Sequence, residues 1–406
     1  MAATFWAPHL AAINHGSILS MDCSGRVITK SFKRSTGGSE HYIIVEPPAD
    51  LGLTEQVACL ERRYDETRQE LGLPAGSAVF RRLFVSDAMN QIPLLRHSSL
   101  TADEDGSPVA LSLIQQPPLS RTKLSLLAYH VSGAPDLSKC RLTSRHVVVE
   151  KNGLAHLWTT GLCPASDDKL VPATQQTRQM FDTLINTLDG LGGTLRNNCV
   201  RTWIYVKDVD VFYNDMVTSR RELFLEQGLS AETHFIASTG IEGACAHRFD
   251  IVTMDAYSIL GLAPQQVSYL NDFDHLCPTK DYNVTFERGT RIAYADRAHL
   301  FISGTASIDS AGQVVHPGNV SRQFDRALDN VEALLRAGSA ELSTLMHLIV
   351  YLRDPTDHPR IKAALSERLP GVPTIIVQGS VCRPEWLVEV EGMAIADNED
   401  PALPGF

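Results

Sequence analysis

The sequence predicts an α+β protein made of three tandem modules. Two observations carry this. The first is length: 406 residues exceed one ordinary core and suit two or three domains. The second is a repeated order of elements, in which an amphipathic helix precedes a β-rich strand ending at an Asp, and a later strand closes near an Ala. From that Asp to that Ala the chain runs 41 residues (Asp87 to Ala128), 48 (Asp208 to Ala256) and 40 (Asp354 to Ala394). Three units of about 120 residues account for nearly the whole chain.

Helices are expected over Leu53–Leu71, Ala173–Leu188 and Val320–Leu335. In the last, Phe324, Leu328, Val331, Leu334 and Leu335 recur at helical spacing, so one face is apolar. Gly338 and the pair Gly192–Gly193 stand where helices would stop. The following strands read Phe80–Asp87, Val200–Asp208 and Leu345–Asp354, apolar and β-branched or aromatic, each ending at an Asp suited to a turn. The closing strands read Thr122–Tyr129, Phe249–Tyr257 and Leu387–Ile395. A leading hairpin is legible in the second copy (His146–Gly153, then Leu157–Gly161) and in the third (Thr290–Tyr294, then Leu300–Gly304). The first copy is the loosest, with a polar loop expected from Ser98 to Pro108. Linkers over Ser132–Lys139 and Gly261–Lys280 divide the chain into modules at 1–139, 140–265 and 280–398.

Forty-seven acidic against 36 basic residues leave a net charge of −11. That sign repels phosphate backbones, and nucleic-acid affinity comes mainly from neutralising them, so no nucleic-acid partner is expected. No run of 18 apolar residues occurs, and no membrane span or membrane partner is expected. The first 25 residues lack Lys and Arg, and His9, Asn14 and His15 interrupt the apolar stretch, unlike a signal peptide. The eight cysteines form no CxxC pair and read as reduced, mostly buried thiols of a cytoplasmic protein. The histidines show no metal-ligand pairing, so neither a metal nor an organic cofactor is expected. Gly190-Leu-Gly-Gly-Thr lacks a preceding strand and reads as a helix end rather than a nucleotide loop. Arg81–Arg82 and Arg220–Arg221 read as short basic pairs on solvated faces, and His347 as a satisfied core residue. Ser238–Gly243 reads as a glycine-punctuated loop, either bordering a cleft or a plain turn.

The third unit carries a resemblance. Its Phe286-Glu-Arg-Gly-Thr, Phe301-Ile-Ser-Gly-Thr-Ala-Ser-Ile308, His316-Pro-Gly-Asn319, Tyr351-Leu-Arg-Asp354 and Val388-Glu-Val-Glu391 resemble the RidA/YjgF superfamily. The stretch Cys382-Arg-Pro-Glu-Trp-Leu-Val-Glu389 is similar to the chorismatase branch of that superfamily. The resemblance is good over residues 283–397, fair over 144–259 and weak over 40–131. It implies RidA/chorismate-mutase-like modules, each a mixed sheet backed by helices, that assemble in threes with ligand clefts between neighbours. Three in one chain imply an intramolecular pseudo-trimer that works as a monomer. The chorismatase branch is expected to have fewer modules, which sets the architecture against the motif.

Aligning the closing strands by their Ala residues places Glu389 opposite Ile251 and Lys123, so only the last unit has an acid there. Val388, Val390 and Gly392 alternate with Glu389 and Glu391, putting both glutamates on one face of the strand. Two acids there are costly to bury unless hydrogen-bonded or used; a half-exposed strand at a module boundary is the bland alternative. The resemblance implies that Glu389 is catalytic, handling protons as water adds to an unsaturated substrate. An apolar cleft would raise its pKa and suit it to general acid work. Glu391 is then a structural partner.

Cys382 stands seven residues before Glu389, the spacing of the chorismatase motif, and with the small Ala306 is implied to influence where water attacks. A covalent role is weakly supported, because no His lies near it in sequence to make a thiolate. RidA deaminases place an Arg about 15 residues before the Glu, where this chain has Thr374, which argues against ordinary imine deamination. Arg383 and Arg353 are the candidate carboxylate grips, with Arg288 and Arg291 behind them; surface arginines near turns are the other reading. Gly304 and Thr305 either present backbone N–H groups to an anion or form a plain strand-end turn. The expected function is a chorismatase-like hydrolase or lyase that releases pyruvate from chorismate or a related enol-ether carboxylate. The alternatives are a RidA-type imine or enamine deaminase and a non-catalytic ligand-binding scaffold. An RNase role fits the charge least.

Overall fold

The computed structural model describes residues 23–34, 38–164, 169–279 and 284–406. The N-terminal stretch with His9, Asn14 and His15, and Lys280 at the end of the second linker, lie outside these.

In the first module β1 (Arg26–Phe32) and β2 (Ser39–Glu46) form a hairpin, followed by α1 (Leu53–Glu70) and β3 (Ala78–Val85). Then come α2 (Ala88–Leu95), β4 (Ala110–Gln115) and β5 (Leu124–Ser132). The second module runs β6 (Ser138–Thr143), β7 (His146–Lys151), β8 (Leu154–Leu162), α3 (Ala173–Gly190) and the short α4 (Leu195–Asn198). It continues with β9 (Cys199–Val206), α5 (Val209–Glu226), β10 (Ala237–Glu242) and β11 (Val252–Leu260). The third has β12 (Val267–Tyr269), β13 (Gly289–Ala293), β14 (Arg297–Ala306), α6 (Val320–Ala337) and β15 (Leu345–Leu352). It ends with α7 (His358–Arg368), β16 (Thr374–Gln378) and β17 (Val388–Asp397).

The sheets are mixed, and their order repeats: β1-β2-β5-β3-β4, β6-β7-β8-β11-β9-β10 and β12-β13-β14-β17-β15-β16. In each, the outermost pair (β3–β4, β9–β10, β15–β16) is parallel and the rest antiparallel. The chain is therefore an α+β protein of three like modules in tandem. One short strand, β12, lies inside the second expected linker, and β6 starts at the end of the first; each adds an edge to the sheet that follows.

Local sequence explains the elements. In α6 the predicted stripe is buried, Asn319 caps the N-terminus by accepting from Arg322 N at 3.1 Å, and Gly338 ends the helix. The Asp residues after β3 and β15 also cap: Asp87 accepts from Asn90 N at 3.2 Å and Asp354 from Thr356 N at 2.8 Å. Each opens the helical segment leading to α2 or α7.

The strand register corrects the alignment of the repeats. Val79, Val200 and Met346 are bulged out at the same place in β3, β9 and β15. Counting from these, Glu389 matches Thr253 and Ser125, two residues away from Ile251 and Lys123. Glu391 matches Asp255 and Leu127. Strand pairing, rather than a shared Ala, fixes the frame, and the shift of two residues leaves each side chain on the face expected.

The modules touch pairwise: β4 lies against β8, β10 against β14, and β1 against β15. One apolar core spans all three, with Phe80 stacked on Trp158 at 4.9 Å and Tyr257 against Phe301 at 5.4 Å. The pair Arg81–Arg82, expected on a solvated face, is buried, and Arg82 reaches across a junction to Asp255 at 2.9 Å. Its strand is buried on both faces, so every residue of β3 must point inward. Cys23 and Cys59 are joined in a disulfide, which corrects the expectation of reduced thiols for that pair. His347 is also less satisfied than expected: it stacks on Tyr42, but its Nδ1 finds no partner among the described residues. No helix among the described residues is long and apolar enough to cross a membrane.

Candidate functional site

A cavity of about 310 Å³ opens where α5 and β10 of the second module meet β14, β17 and the 382–386 loop of the third. Glu389 and Ala306 face each other across the β14–β17 ladder at its inner end. Glu389 is 5 % exposed. Burial pushes its pKa up to about 8, the Glu391 charge adds to the rise, and Arg201 and Arg288 oppose it. At neutral pH the cavity therefore holds a carboxylic acid with a proton to give.

Gly304 admits that group. A Cβ at this position would stand 2.1 Å from Glu389 Oε1 and 2.8 Å from its Cδ, so any larger residue must displace the carboxyl. The expectation that Gly304 offers its N–H to an anion is corrected, because that N–H is donated to Thr239 Oγ1 at 2.9 Å. Thr305 is fully buried outside the cavity lining, with its hydroxyl on Ser303 O at 2.9 Å. A bulge between Ile302 and Thr305 places these residues so, leaving Gly304 and Ala306 as the small residues that face the cavity.

Four arginines, Arg220, Arg221, Arg288 and Arg383, line the walls. Arg220 on α5 is 1 % exposed. It holds Thr285 Oγ1 through Nε at 3.3 Å and Ser238 Oγ through Nη1 at 3.4 Å, while Nη2 has no partner among the described residues. A guanidinium with an unused donor beside a cavity has the chemistry to grip a carboxylate. Reading Arg220–Arg221 as a solvated pair missed this. The signal was present: Met216, Arg220, Leu223 and Phe224 share one helical face, the one buried against the sheet.

Cys382 lines the cavity, and its thiol is pushed up to about 12 by burial and by Glu389, so it is no thiolate nucleophile. It shares a hydrogen bond with Tyr213, whose hydroxyl is raised well above its usual value by burial. Arg383 lies over the Trp386 ring at 4.8 Å, and Trp386 Nε1 anchors on Ser307 O at 3.1 Å. Arg353 is not available: Asp210 grips it twice, at 2.8 and 2.9 Å, and it lies outside the lining. Arg291 is turned to Gly338 O and Asn398, also outside it. Ser238, Thr239 and Gly240 belong to β10, a strand rather than a loop, and form one wall.

The register also moves the position tested for a deaminase Arg. Thr374 pairs with Leu348 as Ser238 pairs with Thr202, so these are equivalent residues of two modules. Thr374 lines a different cavity, of about 370 Å³, between the third and first modules. Ser238 is the one that lines the cavity of Glu389, and Arg220 reaches to within 3.4 Å of it. A guanidinium thus stands at this place, supplied from the helix instead of the strand. Among the described residues no three His, Cys, Asp or Glu side chains converge as metal ligands would.

Residues 290–396 match the family described as Endoribonuclease L-PSP. The third module is a domain of that family. The resemblance extends beyond this L-PSP domain. A "3-hydroxybenzoate synthase" from Streptomyces hygroscopicus is 25 % identical over 248 residues, 55 % of this chain and 70 % of that protein. A "3-aminoacrylate deaminase RutC" from Acinetobacter baylyi is 26 % identical over 97 residues, 23 % of this chain and 77 % of that one. A chorismatase crystal structure superposes with a TM-score of 0.60 at 17 % identity, covering 92 % of this chain and all of that one. The fold is shared along nearly the whole chain, so this chorismatase is not the architecture of fewer modules that was expected.

Proposed function

We propose that this chain is a chorismatase-like enzyme that releases pyruvate from chorismate or a related enol-ether carboxylate. The observation that carries the reading is a buried Glu389, its pKa pushed up to about 8, in an arginine-walled cavity. Arg220 holds a carboxylate of the substrate. The Glu389 proton goes to the terminal methylene carbon of the enol ether, forming a C–H bond and an oxocarbenium ion. Water adds to that cation and returns a proton to the Glu389 carboxylate. The resulting hemiketal breaks its C–O bond to give pyruvate and a ring alcohol. Apolar Trp386, Ile308 and Val217 on the same walls limit water to what the reaction uses. The relative named as a 3-hydroxybenzoate synthase supports a ring-containing substrate of this kind.

Imine or enamine hydrolysis is the second reading, favoured by the deaminase relative and by an Arg at the Ser238 wall. Incubation with chorismate, following pyruvate and identifying the ring product by NMR, tests the first. Pyruvate from the wild type and none from Glu389→Gln is the expected result. No turnover of chorismate, with ammonia released from an enzymatically generated imine, would replace it with the second. Ligand binding without either turnover would leave a binding scaffold.

A further inference from the structure

The face of β17 that carries Glu389 also carries Glu391, and the two differ in every contact. Glu391 is 2 % exposed and receives four donors. Arg201 Nη2 donates at 2.6 Å and Trp203 Nε1 at 3.0 Å, both from β9 of the second module. Tyr351 donates its O–H at 2.9 Å, and Thr239 of β10 donates the fourth. Thr239 also accepts the Gly304 N–H, so the bond that fixes Glu391 fixes the loop against which Glu389 packs.

We propose that Glu391 is a positioning residue for Glu389, and that the second module, by holding Glu391 through Arg201 and Trp203, sets how tightly Glu389 keeps its proton. The inference rests on the reading of Glu389 as the proton donor. The groups facing Glu389 are Glu391 on its own strand, Arg201 on β9, Arg288 ahead of β13, Cys382 and Arg383 on the loop, and Tyr213 and Arg220 on α5. Of these, Glu391 is the carboxyl group held in place by four donors, and two residues along a strand put it on the same side. Burial is the larger cause of the raised Glu389 pKa; like charge disfavours ionisation, so an anchored Glu391 adds to the rise, while Arg201 behind it partly offsets the effect. The same arrangement returns in weaker form one junction away. Asp255, the register match of Glu391, accepts from Arg82 and Ser112 of the first module, but its neighbour at the Glu389 position is Thr253.

The test reads the proton on Glu389 directly. Infrared difference titration of the full-length protein, each form referenced to the same form carrying Glu389→Gln, isolates the Glu389 carboxyl band. Glu391→Gln should lower its titration point by at least about one pH unit, a tenfold loss of proton affinity. Glu391→Gln with Arg201→Gln, which leaves no buried charge unpaired, should titrate between that variant and the wild type. If the single variant does not fold, the double variant against the wild type decides. A titration point unchanged or raised in either variant overturns the proposal. The proton-donor reading is judged separately: a wild-type carboxyl that titrates at an ordinary carboxylate pH defeats that reading whatever the variants do.

Discussion

Glu389 titrates near pH 8 because burial denies its anion water. Pyruvate release should therefore be level at lower pH and fall as pH rises through about 8, and a pH–rate profile checks this. The same group ties stability to pH. Its folded value lies above the ordinary 4.5, so its contribution is whole below pH 4.5 and lost as pH rises to about 8. Within that window denaturant unfolding of the wild type should lose about 1.4 kcal/mol per pH unit relative to Glu389→Gln. Arg220→Met removes a charged hydrogen bond worth about 1.5–3 kcal/mol. It should raise KM for a carboxylate substrate roughly 10- to 100-fold with a smaller change in kcat. Gly304→Ala drives a methyl group into the Glu389 carboxyl, and a loss of at least about 100-fold in kcat with a folded protein by circular dichroism is the expected result.

At the scale of elements, the sequence disclosed what repeats locally and hid what pairs at a distance. The α6 stripe and the Asp caps were legible because periodicity and turn chemistry lie within a few residues. The parallel edge strands β4, β10 and β16 and the helices α2, α5 and α7 went unread; each edge strand follows a loop whose turn signals blur its start. The pairing frame was also out of reach, since the shared bulge at Val79, Val200 and Met346 exists only once strands are paired. Arginines misled for a related reason: charge suggests solvent, whereas Arg82 and Arg201 are buried against acids supplied by another module. Breaking one such pair strands a buried charge. Asp255→Asn should destabilise the protein by about 3–5 kcal/mol, measured by chemical denaturation, while Asp255→Asn with Arg82→Met should recover much of it.

For the whole molecule, one apolar core spans the three sheets, while the first and second modules each keep a further apolar cluster of their own. Calorimetry should show one cooperative transition; well-separated transitions would mean that the shared core contributes little. The candidate cavity is likewise shared, since Arg220 and Tyr213 belong to one module and Glu389 and Cys382 to the next. This is why the motif in the third unit revealed the acid and the thiol but not the guanidinium that faces them. The three junctions have become chemically different: the position of Glu389 is Ser125 in the first module and Thr253 in the second. In an assembly of identical subunits one gene writes every interface at once, and a costly acid must be tolerated in triplicate. Here each interface has its own stretch of coding sequence. A change that would wreck a homotrimer three times over is felt once, and two interfaces remain free to be selected for holding the chain together.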